Sequence, residues 1–147
     1  MIREMVLEDL DQVLALEKQC FAQPWTLDNL RYELEGNPFS HGWVLIDEEE
    51  IVGYTFLWET FETGQIAKIG VDPKKRRKHF ADQLMKAMDH RAVNAGCEVI
   101  TLEVRASNVA ARKLYEKNGY IQMNISKKYY PDGEDAIIMT KPVGGLD

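Results

Sequence analysis

Gln65 to Leu84 reads QIAKIGVDPKKRRKHFADQL, and the residue types change twice along it. QIAKIGV is a β-rich run, and Asp72-Pro73 ends it. Five consecutive cations, Lys74 to Lys78, follow, and from Phe80 onward apolar residues recur at helical spacing. Strand, cationic loop and helix amino terminus in that order concentrate positive potential, because unpaired N–H groups and the helix dipole add to the side-chain charges. Phosphate is the guest such a site suits. The other reading of a lysine-rich loop is a solvated surface segment.

The rest of the chain gives this run its context. A formal net charge of −6 argues against nucleic acid as the main ligand and favours a basic protein or peptide. The 147 residues suit a single domain, 1–147, with no linker before the Gly-Gly near the carboxyl end. With 45% hydrophobic and 29% charged residues, the balance is that of a folded globular protein rather than a disordered one. The opening MIREMVLEDLDQ carries Glu4, Glu8, Asp9 and Asp11 without a continuous apolar segment, which predicts neither a signal peptide nor a membrane span and a cytoplasmic location. Cys20 and Cys97 lie far apart and His41, His79 and His90 are scattered, so no metal site is expected and both thiols are read as free.

Met1 to Val6 reads as a short strand, and Leu10, Val13, Leu14 and Ala15 open a helix that FAQPWT breaks. Thr26 caps a second helix through about Glu35. GWVLID and IVGYTFLW are strands separated by the turn DEEE, and QIAKIGV is a third. Phe80, Ala81, Leu84, Met85, Met88, Ala92 and Ala95 form one stripe of a helix that ends at Gly96. VITLEV is the next strand, and ASNVAARKLYEKNG is a helix capped by Ser107 or Asn108. Two strands close the chain, Ile121 to Tyr130 and Ala136 to Lys141, joined by PDGED. Strands interspersed with helices predict an α/β or α+β sheet with covered faces.

In VITLEV, Ile100, Leu102 and Val104 share one face, leaving Thr101, Glu103 and Arg105 on the other. A mid-strand carboxylate either points to solvent or is held over a cleft. Tyr115 follows Ala111 by one helical turn, as a core aromatic with a surface hydroxyl or as a proton donor.

Two patterns carry a resemblance. Arg76-Arg77-Lys78-His79-Phe80-Ala81, between strand and helix, resembles the acetyl-CoA-binding segment of the GCN5-related N-acetyltransferases. There, arginine or glutamine, two residues, glycine, one residue and glycine or alanine present backbone amides to the pyrophosphate. LEVRASNxxAxxLYxxxGY, Leu102 to Tyr120, resembles the ribosomal-protein alanine N-acetyltransferase (RimI-type) branch of that superfamily. So do FxxPW at Phe21 to Trp25, IGVDP at Ile69 to Pro73, and KKYYPDGEDAIIM at Lys127 to Met139.

The resemblance covers nearly the whole chain. It implies the GNAT fold: a mixed, mostly antiparallel sheet of about seven strands, splayed at strands four and five, with about four helices on its faces. Acetyl-CoA is the implied co-substrate. Carried over by position, Glu103 is the general base and Tyr115 the general acid. Backbone groups of Ile69, Gly70 and Val71 face the acetyl and pantetheine part, and Arg76, Arg77, Lys78, His79, Phe80, Ala81 and Asp82 the pyrophosphate. Asn108 touches the pantetheine arm or merely caps its helix. Trp25, Tyr129 and Tyr130 wall the groove that receives a peptide amino terminus, with strand packing the other reading of the tyrosines. His79 departs from the family glycine, which leaves open a backbone less free to approach phosphate or an imidazole that donates itself.

These residues suit acetyl transfer to an α-amine, which has a pKa of about 7.7–8.0 and is mostly protonated at neutral pH. A carboxylate over a cleft can take that proton, and a phenol of pKa about 10 holds one for the departing thiolate. A backbone N–H near Val71 suits the developing oxyanion. The implied acceptor is the amino-terminal alanine of a small-subunit ribosomal protein, S18-like, and the protein is expected to be a monomer or weak dimer. The alternatives are a broader protein amino-terminal or lysine acetyltransferase, and a non-catalytic partner-binding module of the same fold.

Overall fold

A computed structural model describes residues 1–144, with the Arg77 side chain outside the described residues. One sheet takes the order β1-β2-β3-β4-β5-β7-β6. Its strands are β1 Ile2–Glu4, β2 Ser40–Asp47, β3 Glu50–Thr60, β4 Thr63–Val71, β5 Val99–Arg105, β6 Ile121–Ser126 and β7 Ala136–Pro142. The α-helices are α1 Leu10–Cys20, α2 Leu27–Arg31, α3 Phe80–Asn94 and α4 Val109–Lys117. Among the described strands every pairing is antiparallel except that of β4 with β5. The mixed, mostly antiparallel sheet that the family resemblance implies is present.

Two apolar layers cover the sheet. Val13 and Leu16 of α1 and Leu30 of α2 pack on Val44, Tyr54 and Phe56. On the opposite face Met85, Met88 and Ala92 of α3 meet Leu57, Ile66, Ile100 and Leu102, joined by Tyr115 of α4 and Tyr120. Leu84, Met85 and Met88 are fully buried, which for each side chain is worth ~1.5–3 kcal/mol relative to exposure. The expected stripe loses Ala95, which is exposed as the C-cap of α3. Gly96 follows at φ 88°, the left-handed position that ends a helix most cheaply with glycine.

What shapes the site is the junction of β4 and β5. Their parallel ladder runs only from Thr63–Val99 to Ile66–Leu102. Beyond it β4 pairs with β3 alone and β5 with β7 alone, so the two strands diverge. At the same point the β3–β4 register jumps from Phe56–Lys68 to Leu57–Ile66, which makes Ala67 a bulged residue. An extra residue reverses the alternation of faces. Ile66 and Ile69 therefore both pack toward α3, while Lys68 turns toward α1.

Two elements differ from the sequence reading. After Arg31 the second helix widens into a π-helical turn, Tyr32–Gly36, closed by the Asn37 N–H donating to the Tyr32 carbonyl at 2.8 Å. β6 stops at Ser126 instead of running to Tyr130, because Lys128 takes φ 52° and turns the chain out of the sheet. Tyr129 and Tyr130 thus stand in the β6–β7 connection rather than in a strand.

Candidate active site

The divergence of β4 and β5 opens a cleft of about 620 Å³. Its walls come from the α1–α2 loop (Phe21, Trp25), the free half of β4 (Lys68, Ile69), β5 (Glu103, Arg105), Asn108 and Tyr115 at α4, and Tyr129 and Tyr130. Strand alternation sets Glu103 opposite the buried Ile100, Leu102 and Val104, so its carboxylate enters the cleft half-buried. Tyr115 is only 8% exposed, reaching the cleft from the other face of the sheet. Burial, helped by the neighbouring Tyr130, pushes its phenol up to about 12.

Tyr129 lies beside Glu103. Hydrogen bonding with the Glu103 carboxylate, reinforced by burial, pushes the Tyr129 phenol up to about 12. Its ring stands edge-on to Tyr130, with centroids 5.0 Å apart. The Arg105 guanidinium lies 4.0 Å from the Tyr130 centroid and pairs with Asp132 at 2.8 Å and Glu134 at 3.0 Å. Glu134 also accepts from the Ser107 N–H at 2.8 Å. The end of β5 therefore clamps the β6–β7 connection against the cleft.

On the opposite wall, Asp72 N–H donates to the Val52 carbonyl at 2.8 Å. Antiparallel alternation then turns the backbone groups of Ile69 and Val71 away from β3, toward the side that β5 has vacated. The Val71 carbonyl takes the Cys20 thiol at 3.2 Å, and burial pushes that thiol up from its ordinary range. Gly70 sits where a Cβ would meet the Tyr54 ring at 2.7 Å, so glycine is required for β4 to lie this close to Tyr54.

The basic run forms a short 3-10 segment, Pro73–Lys78, before α3. His79 enters α3 at φ 59°, ψ 25°, the left-handed conformation for which glycine carries no Cβ penalty. Arg76, His79, Ala81 and Asp82 border a second concavity of about 310 Å³ with Lys113 and Lys117 of α4. Asp82 does not oppose this positive rim freely: it accepts from Lys117 Nζ at 2.8 Å and Asn118 Nδ2 at 3.0 Å, and lies 3.2 Å from His79 Nδ1. Burial works against its charge, yet these hydrogen bonds hold its carboxyl down at about 2. Phe80 is 7% exposed and packs with Leu45, Val52, Val71 and Leu84, so only its backbone can reach a ligand. Asn108 caps α4 by accepting from the Ala111 N–H at 3.2 Å while also lining the cleft.

One cluster was not read from the sequence. Glu17 of α1 is fully buried, and its Oε2 accepts from the Trp25 N–H at 2.7 Å and lies 3.0 Å from Lys68 Nζ. Its Oε1 accepts from the Tyr54 hydroxyl. The Lys68 ammonium in turn lies 4.0 Å from the Phe21 ring centroid and 4.7 Å from that of Trp25. A glutamate one turn after Val13 on the apolar stripe of α1, and a lysine inside QIAKIGV, were the available signs.

Residues 10–120 match the Acetyltransferase (GNAT) family. The chain belongs to that family. A Bacillus subtilis protein provisionally named a ribosomal protein bS18-alanine N-acetyltransferase is 36% identical over 94% of this chain and 92% of its own. The Escherichia coli protein named ribosomal protein bS18-alanine N-acetyltransferase is 29% identical, with 97% of each chain covered. The crystal structure of the Escherichia coli ribosomal-protein-S18-alanine N-acetyltransferase superposes with a TM-score of 0.89 at 28% identity, covering 97% of this chain and 93% of that one.

Within this GNAT enzyme, the cleft at the splay brings together Glu103, Tyr115, Asn108, Ile69, Trp25, Tyr129 and Tyr130. Arg76, His79, Ala81 and Asp82 gather separately at the second concavity. No described helix is long and apolar enough to cross a membrane.

Proposed function

We propose that this GNAT protein transfers the acetyl group of acetyl-CoA to a protein α-amine, and that its acceptor is the amino-terminal alanine of an S18-like ribosomal protein. The observation that carries the reading is a carboxylate and a phenol, Glu103 and Tyr115, converging on one cleft where the sheet has parted. The names borne by its Bacillus and Escherichia coli relatives support the choice of acceptor. An acidic chain of net charge −6 suits a basic ribosomal partner. We place the reaction in the cytoplasm, within a single domain acting as a monomer or weak dimer.

The parts fit acetyl-CoA. The backbone of Ile69 and Val71 faces away from β3, toward the side that β5 has vacated, for the pantetheine arm, with Asn108 opposite, and Arg76 to Asp82 offer cations and a helix amino terminus to the pyrophosphate. Acetyl-CoA supplies an acyl group activated as a thioester. Glu103 removes the proton that keeps the acceptor amine from being nucleophilic. Tyr115, held up to about 12, keeps its proton through the physiological range and donates a hydrogen bond where the thiolate departs. Because a thiol has a pKa of about 8.5, the phenol shares that proton with the sulfur and does not surrender it early. Trp25, Tyr129 and Tyr130 wall the acceptor side, with Tyr129 beside Glu103.

The acceptor is tested by initial rates of CoA release with an S18 amino-terminal peptide, the same peptide begun with methionine, and a scrambled one. A preference of tenfold or more for the alanine-initiated S18 peptide is expected. Equal rates with all three would replace it with a broader amino-terminal acetyltransferase.

A further inference from the structure

Resting on the transfer reading above, we infer that Lys68 is a positioning residue whose ammonium, aimed into the acceptor side of the cleft by buried Glu17, makes the incoming α-amine easier to deprotonate. The pair is oriented. Glu17 is fully buried behind the cleft, whereas Lys68 lines it and retains 14% side-chain exposure. The negative end thus points into the core and the positive end toward the space bounded by Phe21 and Trp25. The Ala67 bulge is what gives Lys68 this direction; in an unbroken strand it would share the face of Ile66.

A protonated amine approaching that ammonium is repelled and a neutral one is not, so the bound amine loses its proton at lower pH than it would without Lys68. Lys68 is held in place by Glu17, 3.0 Å from its Nζ, and by the two ring faces. On its inner side stand Glu17, Tyr54 and Cys20. Across the cleft are Glu103, Arg105, Tyr115, Tyr129, Tyr130 and Asp132. Arg105, on β5, is paired with Asp132 and Glu134, and among the described residues Lys68 is the cation that β4 presents to the cleft.

Lys68→Met alone would strand the buried Glu17 charge and unfold part of the chain, so the informative variant is Lys68→Met with Glu17→Gln, compared with Lys68→Arg. The measurement is kcat against pH at saturating alanine-initiated peptide, with a melting curve for each protein. The double variant should fold, and its acidic limb should move up by about one pH unit, a tenfold loss at the low end. Lys68→Arg should keep the wild-type limb. A double variant whose acidic limb matches wild type, whatever its melting point, or whose defect lies in KM alone, would overturn the inference; a lowered melting point beside an unchanged limb would make the pair a brace for the Phe21–Trp25 wall. A wild-type protein that acetylates no peptide α-amine would instead bring down the transfer reading, and this inference with it.

Discussion

His79 Nδ1 lies 3.2 Å from Asp82 Oδ2, within the first turn of α3 and beside the loop assigned to the pyrophosphate. The imidazole is thereby engaged with a carboxylate, and the His79 backbone is left-handed, a conformation glycine adopts without a Cβ penalty. His79→Gly should therefore hold stability within ~0.5 kcal/mol, since relief of the Cβ penalty offsets the added freedom of the unfolded chain. Its acetyl-CoA affinity, measured by calorimetry, should be kept or improved. A large loss of affinity would mean that the imidazole is itself a phosphate ligand.

Asp82 links α3 to α4 through Lys117 and Asn118. Its folded carboxyl sits at about 2, below the ordinary value of 3.8, so near those values the unfolded chain binds more protons and stability rises with pH. The contribution is complete above about pH 4 and is lost as pH falls toward 2. Urea midpoints measured from pH 2 to 5 should rise less steeply in Asp82→Asn than in wild type. Parallel curves would show that the carboxylate contributes nothing to folding.

Glu103→Gln and Tyr115→Phe should leave the melting curve and acetyl-CoA binding nearly intact. Turnover at neutral pH should fall by ~10²-fold or more for the glutamate, the usual scale for a lost general base. Tyr115→Phe should cost less, as befits a hydrogen-bond donor that keeps most of its proton. Unchanged rates in both variants would contradict these roles.

Gly70→Ala places a methyl group 2.7 Å from the Tyr54 ring, a buried side chain that also donates to Glu17. With no room for Tyr54 to retreat, the substitution should destabilise the protein by ~1–3 kcal/mol. Because Tyr54 and Glu17 hold the Trp25 wall, the peptide KM should rise as well. A melting point equal to wild type would show that β4 can shift at this position.

The sheet and its helices were legible because each rests on local order: alternation in VITLEV, helical spacing after Phe80, a proline after Asp72; Glu103 and Tyr115 were singled out through the family resemblance of LEVRASN and the helix after it. The Ala67 bulge was not, since an extra residue in one strand shows only when its partner strand is beside it. The same bulge hid the Glu17–Lys68 pair, whose members lie on different elements and break the apolar pattern of each. The end of β6 was misread because KKYY carries no glycine or proline, and the turn is made by Lys128 at φ 52°. Tyr129 met Glu103 for that reason, from a loop instead of a strand.

The most direct measurement is site-localised mass spectrometry of an alanine-initiated S18 peptide that contains internal lysines, incubated with acetyl-CoA and the wild-type protein. A single acetyl group on the α-amine, formed ~10²-fold more slowly with Glu103→Gln, is the predicted result. Acetylation confined to lysine side chains, or none at all, would contradict the assignment.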